Sequence, residues 1–123
     1  MLEKFKHFYI MVFVNNTRLN SISIVGGAFG DEGKGKVVDK ICHTLINRFN
    51  KVIVYRWNGG SNAGHTVEIQ NKKFVLHQIP SGALIEGTIC ILGKGMVIHP
   101  GDLVSELATI QANSDIKTDI MID

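Results

Sequence analysis

The sequence predicts an α/β fold with a mostly parallel sheet, flanking helices and one β-hairpin. Short β-branched apolar runs, at residues 22–25 and 52–55, alternate with a segment of helical periodicity. A glycine-rich loop directly follows each of these two runs. Because the carboxyl ends of parallel strands meet at one edge of an open sheet, both loops are predicted to lie at that ligand-binding edge.

The first predicted elements are a strand, a helix and a second strand. Residues 22–25 form a buried strand that Gly26 and Gly27 end. From Lys36 onward the apolar residues recur at helical spacing and form one broad stripe, made of Val37, Val38, Ile41, Cys42, Leu45, Ile46 and Phe49. Residues 51–57 form the next strand. Together they predict a right-handed β-α-β unit with parallel strands.

The second half of the chain predicts a hairpin, two strands and a helix. In chain order, these are a hairpin of residues 67–69 and 74–79 around a turn at 70–73, a strand at 88–92, a helix at 100–112 and a strand at 117–122. Because the sequence ends on a strand and a parallel sheet pairs its interior strands, the sheet is expected to be incomplete at the C-terminus.

Composition excludes several classes of partner. The 123 residues suffice for one domain with a core, and the net charge of +2 is too small to favour nucleic acid or membrane binding. No apolar run reaches the roughly 18 residues of a membrane span. Cys42 and Cys90 are predicted to be buried reduced thiols, which favours a cytoplasmic protein.

Residues 1–20 are predicted to be a mobile N-terminal extension, and residues 21–123 a truncated part of a nucleotide-binding α/β domain. Lys4 and Lys6 precede an apolar run at residues 8–14. That run is short and lacks a small-residue cleavage site, so a signal peptide is disfavoured. Met11 is an alternative start.

The loop at residues 30–36 reads Gly-Asp-Glu-Gly-Lys-Gly-Lys and is P-loop-like in its position between strand and helix. Its glycines admit phosphate to the backbone N–H groups, and Lys34 and Lys36 add positive charge. Asp31 and Glu32 would repel an anion, so a carboxylate here needs another role, such as holding Mg²⁺ or accepting a proton.

Two common nucleotide-binding patterns fail at this loop. The Walker pattern aligned on Gly33 requires glycine and a hydroxyl where the chain has Ala28 and Gly35. The dinucleotide fingerprint fails because Val38 stands at its last glycine position.

Three motifs together resemble the amino-terminal part of adenylosuccinate synthetase. They are residues 30–36, the run Asn-Ala-Gly-His-Thr at 62–66 and the run Leu-His-Gln-Ile-Pro-Ser-Gly at 76–82, in the family's order and spacing. The resemblance covers residues 21–123. It departs at Ala28 and Phe29, where the family usually has Gln and Trp.

The resemblance implies an enzyme of AMP biosynthesis. Family members join L-aspartate to IMP, cleave GTP to GDP and phosphate, require Mg²⁺, and work in the cytoplasm as homodimers. A base removes the N1 proton of IMP, the six-oxygen takes the γ-phosphoryl group, and the amine of aspartate then displaces phosphate.

The resemblance also implies roles for single residues. Asp31 matches the base and a Mg²⁺ ligand, His65 matches the catalytic acid, and Gly64 would offer its carbonyl to Mg²⁺. The GTP-binding positions are Gly30, Asp31, Glu32, Gly33, Lys34, Gly35, Lys36, Gly64, His65 and Thr66. The IMP-binding positions are Asp31, Glu32, Gly33, Lys34, Asn62, Ala63, Gly64 and His65.

Plainer interpretations stand beside these roles. Asp31 could cap the following helix, and a loop histidine such as His65 is often only a hydrogen-bonded surface residue. His77 is predicted to hydrogen-bond inward, and Arg56 and Trp57 to serve in the core or at the rim of the site.

Three hypotheses on function follow. The first is the ligase, with this short chain inactive by itself because full-length family members are several times longer. The second is a non-catalytic fragment that keeps its phosphate-binding loops. The third is a different phosphoryl-transfer enzyme, which a preference for ATP would support.

Overall fold

The computed structural model describes residues 2–5, 8–15, 18–26, 33–49, 51–62 and 64–123. The chain divides into two compact units, residues 1–34 and residues 35–123. The predicted boundary at residue 20, between a mobile extension and the α/β domain, stays a prediction.

The first unit is an antiparallel three-stranded sheet. Its strands are β1 (Leu2–Phe5), β2 (Phe8–Asn15) and β3 (Arg18–Gly26), in the order β1-β2-β3. The predicted strand at 22–25 lies inside β3, but β3 pairs antiparallel with β2. The strand Val52–Gly59, the expected parallel partner, lies in a different sheet, so the predicted parallel β-α-β unit is wrong. A hairpin partner next in sequence needs only a short connection, and apolar patterning does not distinguish it from a distant parallel partner.

The second unit contains the predicted parallel sheet. Strands β4 (Val52–Gly59), β7 (Thr88–Met96) and β8 (Asp119–Ile122) lie in the order β4-β7-β8, and both pairs are parallel. The other elements are helix α1 (Lys34–Ile46), the hairpin of β5 (His65–Ile69) and β6 (Lys72–Leu76), a 3₁₀ turn (Ser81–Leu84) and helix α2 (Pro100–Asn113). The predicted mixed α/β class with a parallel sheet, helices and a hairpin is confirmed.

One face of the parallel sheet carries the core. Cys42 of α1 packs with Val52 and Ile85, and a larger cluster joins Cys90 and Leu92 of β7 to the apolar stripe of α2. Val54 packs against both clusters, so the two helices are anchored on the same strand face. The apolar stripe predicted for α1 is correct, although its last member, Phe49, lies beyond the helix end and is 38% exposed.

The opposite face of β4 is open. Ile53, Tyr55 and Trp57 alternate along the strand and are 63%, 51% and 57% exposed. Strands of parallel sheets are ordinarily buried on both faces. In the described part of the chain this apolar face has no such cover. None of the described helices is long and apolar enough to cross a bilayer.

The hairpin turn is tighter than predicted. Gln70 and Asn71 have φ angles of 50° and 63°, so both adopt the left-handed conformation of a two-residue type I′ turn. Lys72 and Lys73, which were predicted in the turn, are therefore paired in β6 with Ile69 and Glu68. The tight turn fixes the register that places Val67, Phe74 and Leu76 in the core.

Both cysteines are free and buried, as predicted. Burial raises the pKa of Cys42 to about 11 and that of Cys90 to about 12. We predict that both thiols react with Ellman's reagent at pH 8 much more slowly in the folded chain than in the denatured chain. Thiolate is the reactive form, and both groups are shielded. Absorbance at 412 nm with and without denaturant measures this. Immediate reaction of one thiol in the folded chain would contradict the packing.

Gly82 lies where a side chain has no room. A β-carbon built there would be 2.7 Å from Cγ2 of Val54 and 3.3 Å from Cγ2 of Thr88. We predict that Gly82→Ala lowers the free energy of unfolding by about 1–3 kcal/mol through overpacking. Urea denaturation measures this, with Gly101→Ala as control because its β-carbon would come no nearer than 3.4 Å to His99. Equal effects of the two substitutions would count against this packing.

Candidate active site

Four predicted site residues, Gly30, Asp31, Glu32 and Ala63, lie outside the described residues. The base and Mg²⁺ ligand expected at Asp31 thus stays a prediction. Gly33 immediately precedes α1 with a φ of +79°, a conformation that glycine adopts without strain. Lys34 opens the helix. From Gly35 onward, the predicted residues belong to the second unit.

Gly35 and His65 bring two of the three motifs together. A β-carbon built on Gly35 would lie 3.2 Å from Cδ2 of His65, so the imidazole packs directly against the first turn of α1. The first turn of a helix carries unpaired backbone N–H groups that favour anions. The ring of His65 therefore stands beside a surface suited to phosphate.

The third motif reaches the same point through Ser81. The hydroxyl of Ser81 donates a hydrogen bond to the carbonyl oxygen of Gly35 at 3.0 Å. Ser81 is 2% exposed, so this bond is shielded from water. Residues from all three sequence motifs thus converge on Gly35.

His65 is poised for a ligand. Its Nε2 is buried and has no hydrogen-bond partner among the described residues. Buried polar atoms are nearly always paired, so an unpaired one points to a missing partner. Burial lowers the pKa of His65, and the charges of Arg56 and His77 lower it further, while Glu106 raises it. A bound phosphate group would favour the protonated ring.

Arg56 ties the second glycine loop to the third motif. Its guanidinium donates to the carbonyl oxygens of His77, Gln78 and Gly60, the last two at 2.9 and 3.3 Å. Arg56 is half-buried and serves a structural role, whereas Trp57 lies on the exposed face of β4. Three charge-assisted bonds from one rigid group fix the separation of the two segments.

A buried carboxylate holds the third motif from the other side. The Oε2 of Glu106 accepts from the backbone N–H groups of Gln78 and Ile79 at 3.3 and 3.1 Å, and its Oε1 accepts from Gln78 at 3.0 Å. The side-chain amide of Gln78 exchanges two hydrogen bonds with the backbone of His99, at 3.0 and 2.7 Å. The backbone at residues 77–79 is therefore held on both sides.

Of the remaining predicted residues, Lys36 is exposed on α1, and three others flank His65 in the sequence. Asn62, Gly64 and Thr66 are exposed, and Thr66 pairs with Val75 in the hairpin. His77 is half-buried, and its Nδ1 lies 3.8 Å from Oε1 of Glu106. That separation is too long for a hydrogen bond, so the inward hydrogen bond expected of His77 stays a prediction. Within the described ranges, no group of three or more His, Cys, Asp or Glu side chains is arranged to hold a metal.

Sequence reasoning missed Glu106 and Gln78 as organising residues. Glu106 stands three residues after Leu103 and four before Ile110, inside the apolar stripe of α2. A charged residue at core spacing is the signal that a buried acceptor is needed. Gln78 lay in a motif already noted, but its amide could not be paired without the fold.

A model of the adenylosuccinate synthetase family matches residues 23–123. The chain belongs to the adenylosuccinate synthetase family. It is 45% identical over 94 residues to the adenylosuccinate synthetase of Plasmodium vivax, covering 76% of this chain and 20% of that relative. The same enzyme of Desulfotalea psychrophila is 45% identical over 93 residues, with the same two shares.

Among solved structures, the chain is similar to the fully ligated adenylosuccinate synthetase of Plasmodium falciparum. The TM-score is 0.61 at 37% identity, over 76% of this chain and 20% of that one. The chain therefore spans about one fifth of the length of the synthetases that it matches.

The role of the buried carboxylate can be tested by a nearly isosteric change. We predict that Glu106→Gln lowers the free energy of unfolding by about 1–3 kcal/mol, because an amide brings its own N–H₂ against the two backbone donors. Urea denaturation is the measurement, and Asp102→Asn on the exposed side of α2 is the matched control. If both variants unfold like the parent chain, Glu106 does not hold the third motif.

Proposed function

We propose that this chain forms the amino-terminal part of the active site of a GTP-dependent ligase that joins L-aspartate to IMP. The observation that carries the proposal is the convergence of the three family motifs on Gly35, beside Nε2 of His65, which has no hydrogen-bond partner in the described ranges. The products would be adenylosuccinate, GDP and phosphate. The intact enzyme would act in AMP biosynthesis in the cytoplasm, as a homodimer.

The proposed reaction moves one proton and one phosphoryl group before the C–N bond forms. Asp31 takes the N1 proton of IMP, and the six-oxygen attacks the γ-phosphorus as GDP leaves. The amine of aspartate then attacks carbon six, and phosphate leaves with the oxygen. His65 donates a hydrogen bond from Nε2 to the transferred phosphoryl group as its charge shifts.

The loop residues would divide the binding of the two nucleotides. Lys34, Lys36 and the N–H groups at the start of α1 suit the phosphates of GTP. Asn62 and Thr66 are exposed. By the family motif, Asn62 would border IMP and Thr66 would lie by GTP. Phosphoryl transfer depends mainly on such positioning and charge neutralisation.

Two oxygen donors of the family motifs would hold a magnesium ion. Gly64 is exposed and lacks a β-carbon, so a hydrated cation can approach its carbonyl, and Asp31 would supply a carboxylate oxygen. When bound, the ion would offset negative charge on the phosphates. The residues of this chain would hold it and orient the nucleotide.

A second candidate follows from the short span of the chain. Because it covers about one fifth of its relatives, we expect these residues by themselves to bind Mg²⁺·GTP without turnover. Isothermal titration with GTP and ATP, alongside an assay for adenylosuccinate, tests this expectation for the 123 residues alone. Tighter binding of ATP than of GTP would instead favour a different phosphoryl-transfer enzyme.

The ligase proposal is tested in a chimera. Residues 23–123 replace the matching segment of the Plasmodium falciparum enzyme, and adenylosuccinate formation from IMP, GTP and aspartate is followed by absorbance. We predict an active chimera in which His65→Asn lowers kcat by about 10²–10⁴-fold, the usual scale for a lost acid. His43→Asn, on the exposed side of α1, is the control and should leave kcat unchanged. A folded chimera that makes no adenylosuccinate would overturn the proposal.

A further inference from the structure

The imidazole of His77 packs against the main chain of Gly64. A β-carbon built on Gly64 would lie 2.9 Å from Nε2 and 3.1 Å from Cδ2 of His77, with Cγ1 of Val75 at 3.6 Å. Real β-carbons do not approach other atoms this closely. The α-carbon of Gly64 therefore rests on the ring, and the contact exists because the residue is glycine.

The main chain that carries the ring is held on both sides. Arg56 binds the carbonyl oxygen of His77, and Glu106 binds the N–H group of the following residue, Gln78. Oε1 of the same Glu106 lies 3.8 Å from Nδ1 of His77. Glu106 is 9% exposed, so its position is set by the fold. The main chain of His77 is thus fixed, and its Nε2 faces Gly64.

Gly64 passes this constraint directly to His65. The two residues are consecutive, and His65 pairs with Leu76, the neighbour of His77, in the hairpin register. The ring of His65 is bounded on another side by Gly35. His77 therefore positions the main chain at Gly64, and α1 positions the imidazole of His65.

We propose that His77 is a positioning residue of the ligase site, which sets the Gly64 main chain and through it the imidazole of His65. This inference rests on the proposed function. His77 makes no contact with substrate in this scheme. Misplacing a reacting group by about 1 Å can cost about 10²-fold in rate, so a positioning contact of this kind has a kinetic signature.

The first test separates kcat from KM in the active chimera. We expect His77→Ala to lower kcat by about 10–100-fold and to leave the KM values for IMP and GTP within about threefold, because the lost contact acts on transition-state geometry. His77→Gln keeps an amide close to the position of Nε2 and should recover most of the rate. His43→Ala is the matched histidine control.

Thermal melting of the same variants distinguishes positioning from simple packing. If His77 only stabilises the fold, His77→Ala lowers the melting temperature while the folded enzyme keeps its parental kcat, and that result overturns the inference. A lowered kcat at unchanged folded fraction supports it.

The second test is a double-mutant cycle. Gly64→Ala introduces the clashing β-carbon, and His77→Ala removes the ring with which it clashes. We therefore expect Gly64→Ala to reduce kcat/KM by a smaller factor in the His77→Ala background than in the parent. Additive losses would show that the two residues do not interact. The free energies of unfolding of the same four variants, measured on the 123-residue chain, test the contact independently of catalysis.

The two proposals fail in different ways. A folded chimera with native His77 and no adenylosuccinate synthesis removes the proposed function, and the inference with it. An active chimera in which His77→Ala matches the parent in kcat removes the inference alone.

Discussion

The buried carboxylate of Glu106 is the constraint on which the second unit depends. An ionised carboxylate in a protein interior is costly unless every oxygen finds donors, and here the donors are the backbone N–H groups of Gln78 and Ile79. That requirement fixes an irregular segment that has no strand partner of its own. Once the segment is fixed, Ser81 is brought to Gly35 and His77 to Gly64. The geometry around His65 is thus a consequence of one satisfied charge.

Glycines of the motifs share a steric role. Gly35, Gly64 and Gly82 each lie where another motif or strand places a side chain within 2.7–3.2 Å of a hypothetical β-carbon. At these positions the backbone approaches neighbouring side chains more closely than a β-carbon would permit. Phosphate binding is the usual reason given for glycine in such loops. Here close packing of the glycine backbone against neighbouring side chains is an independent physical reason for the same residues.

The sequence predicted local elements better than their partners. The helix expected from Lys36 is observed from Lys34, and the strand expected at 51–57 is observed as Val52–Gly59, because apolar periodicity and glycine punctuation are local signals. Partner choice is non-local, and the antiparallel pairing of β3 was missed for that reason. At the site, His65 and Gly64 were predicted from motifs, whereas the role of Glu106 depends on which backbone groups the fold leaves unpaired. The functions of Asp31 and Glu32 stay predictions.

The open face of β4 carries a native fluorophore. Trp57 is the single tryptophan in the sequence, and it lies 57% exposed on that face rather than in the core. Its emission wavelength therefore depends mainly on the polarity at this face of the sheet, and little on the packing of α1 and α2. Covering this face would move the emission to shorter wavelength and shield the indole from soluble quenchers. One native side chain thus gives an optical signal for anything that covers this face.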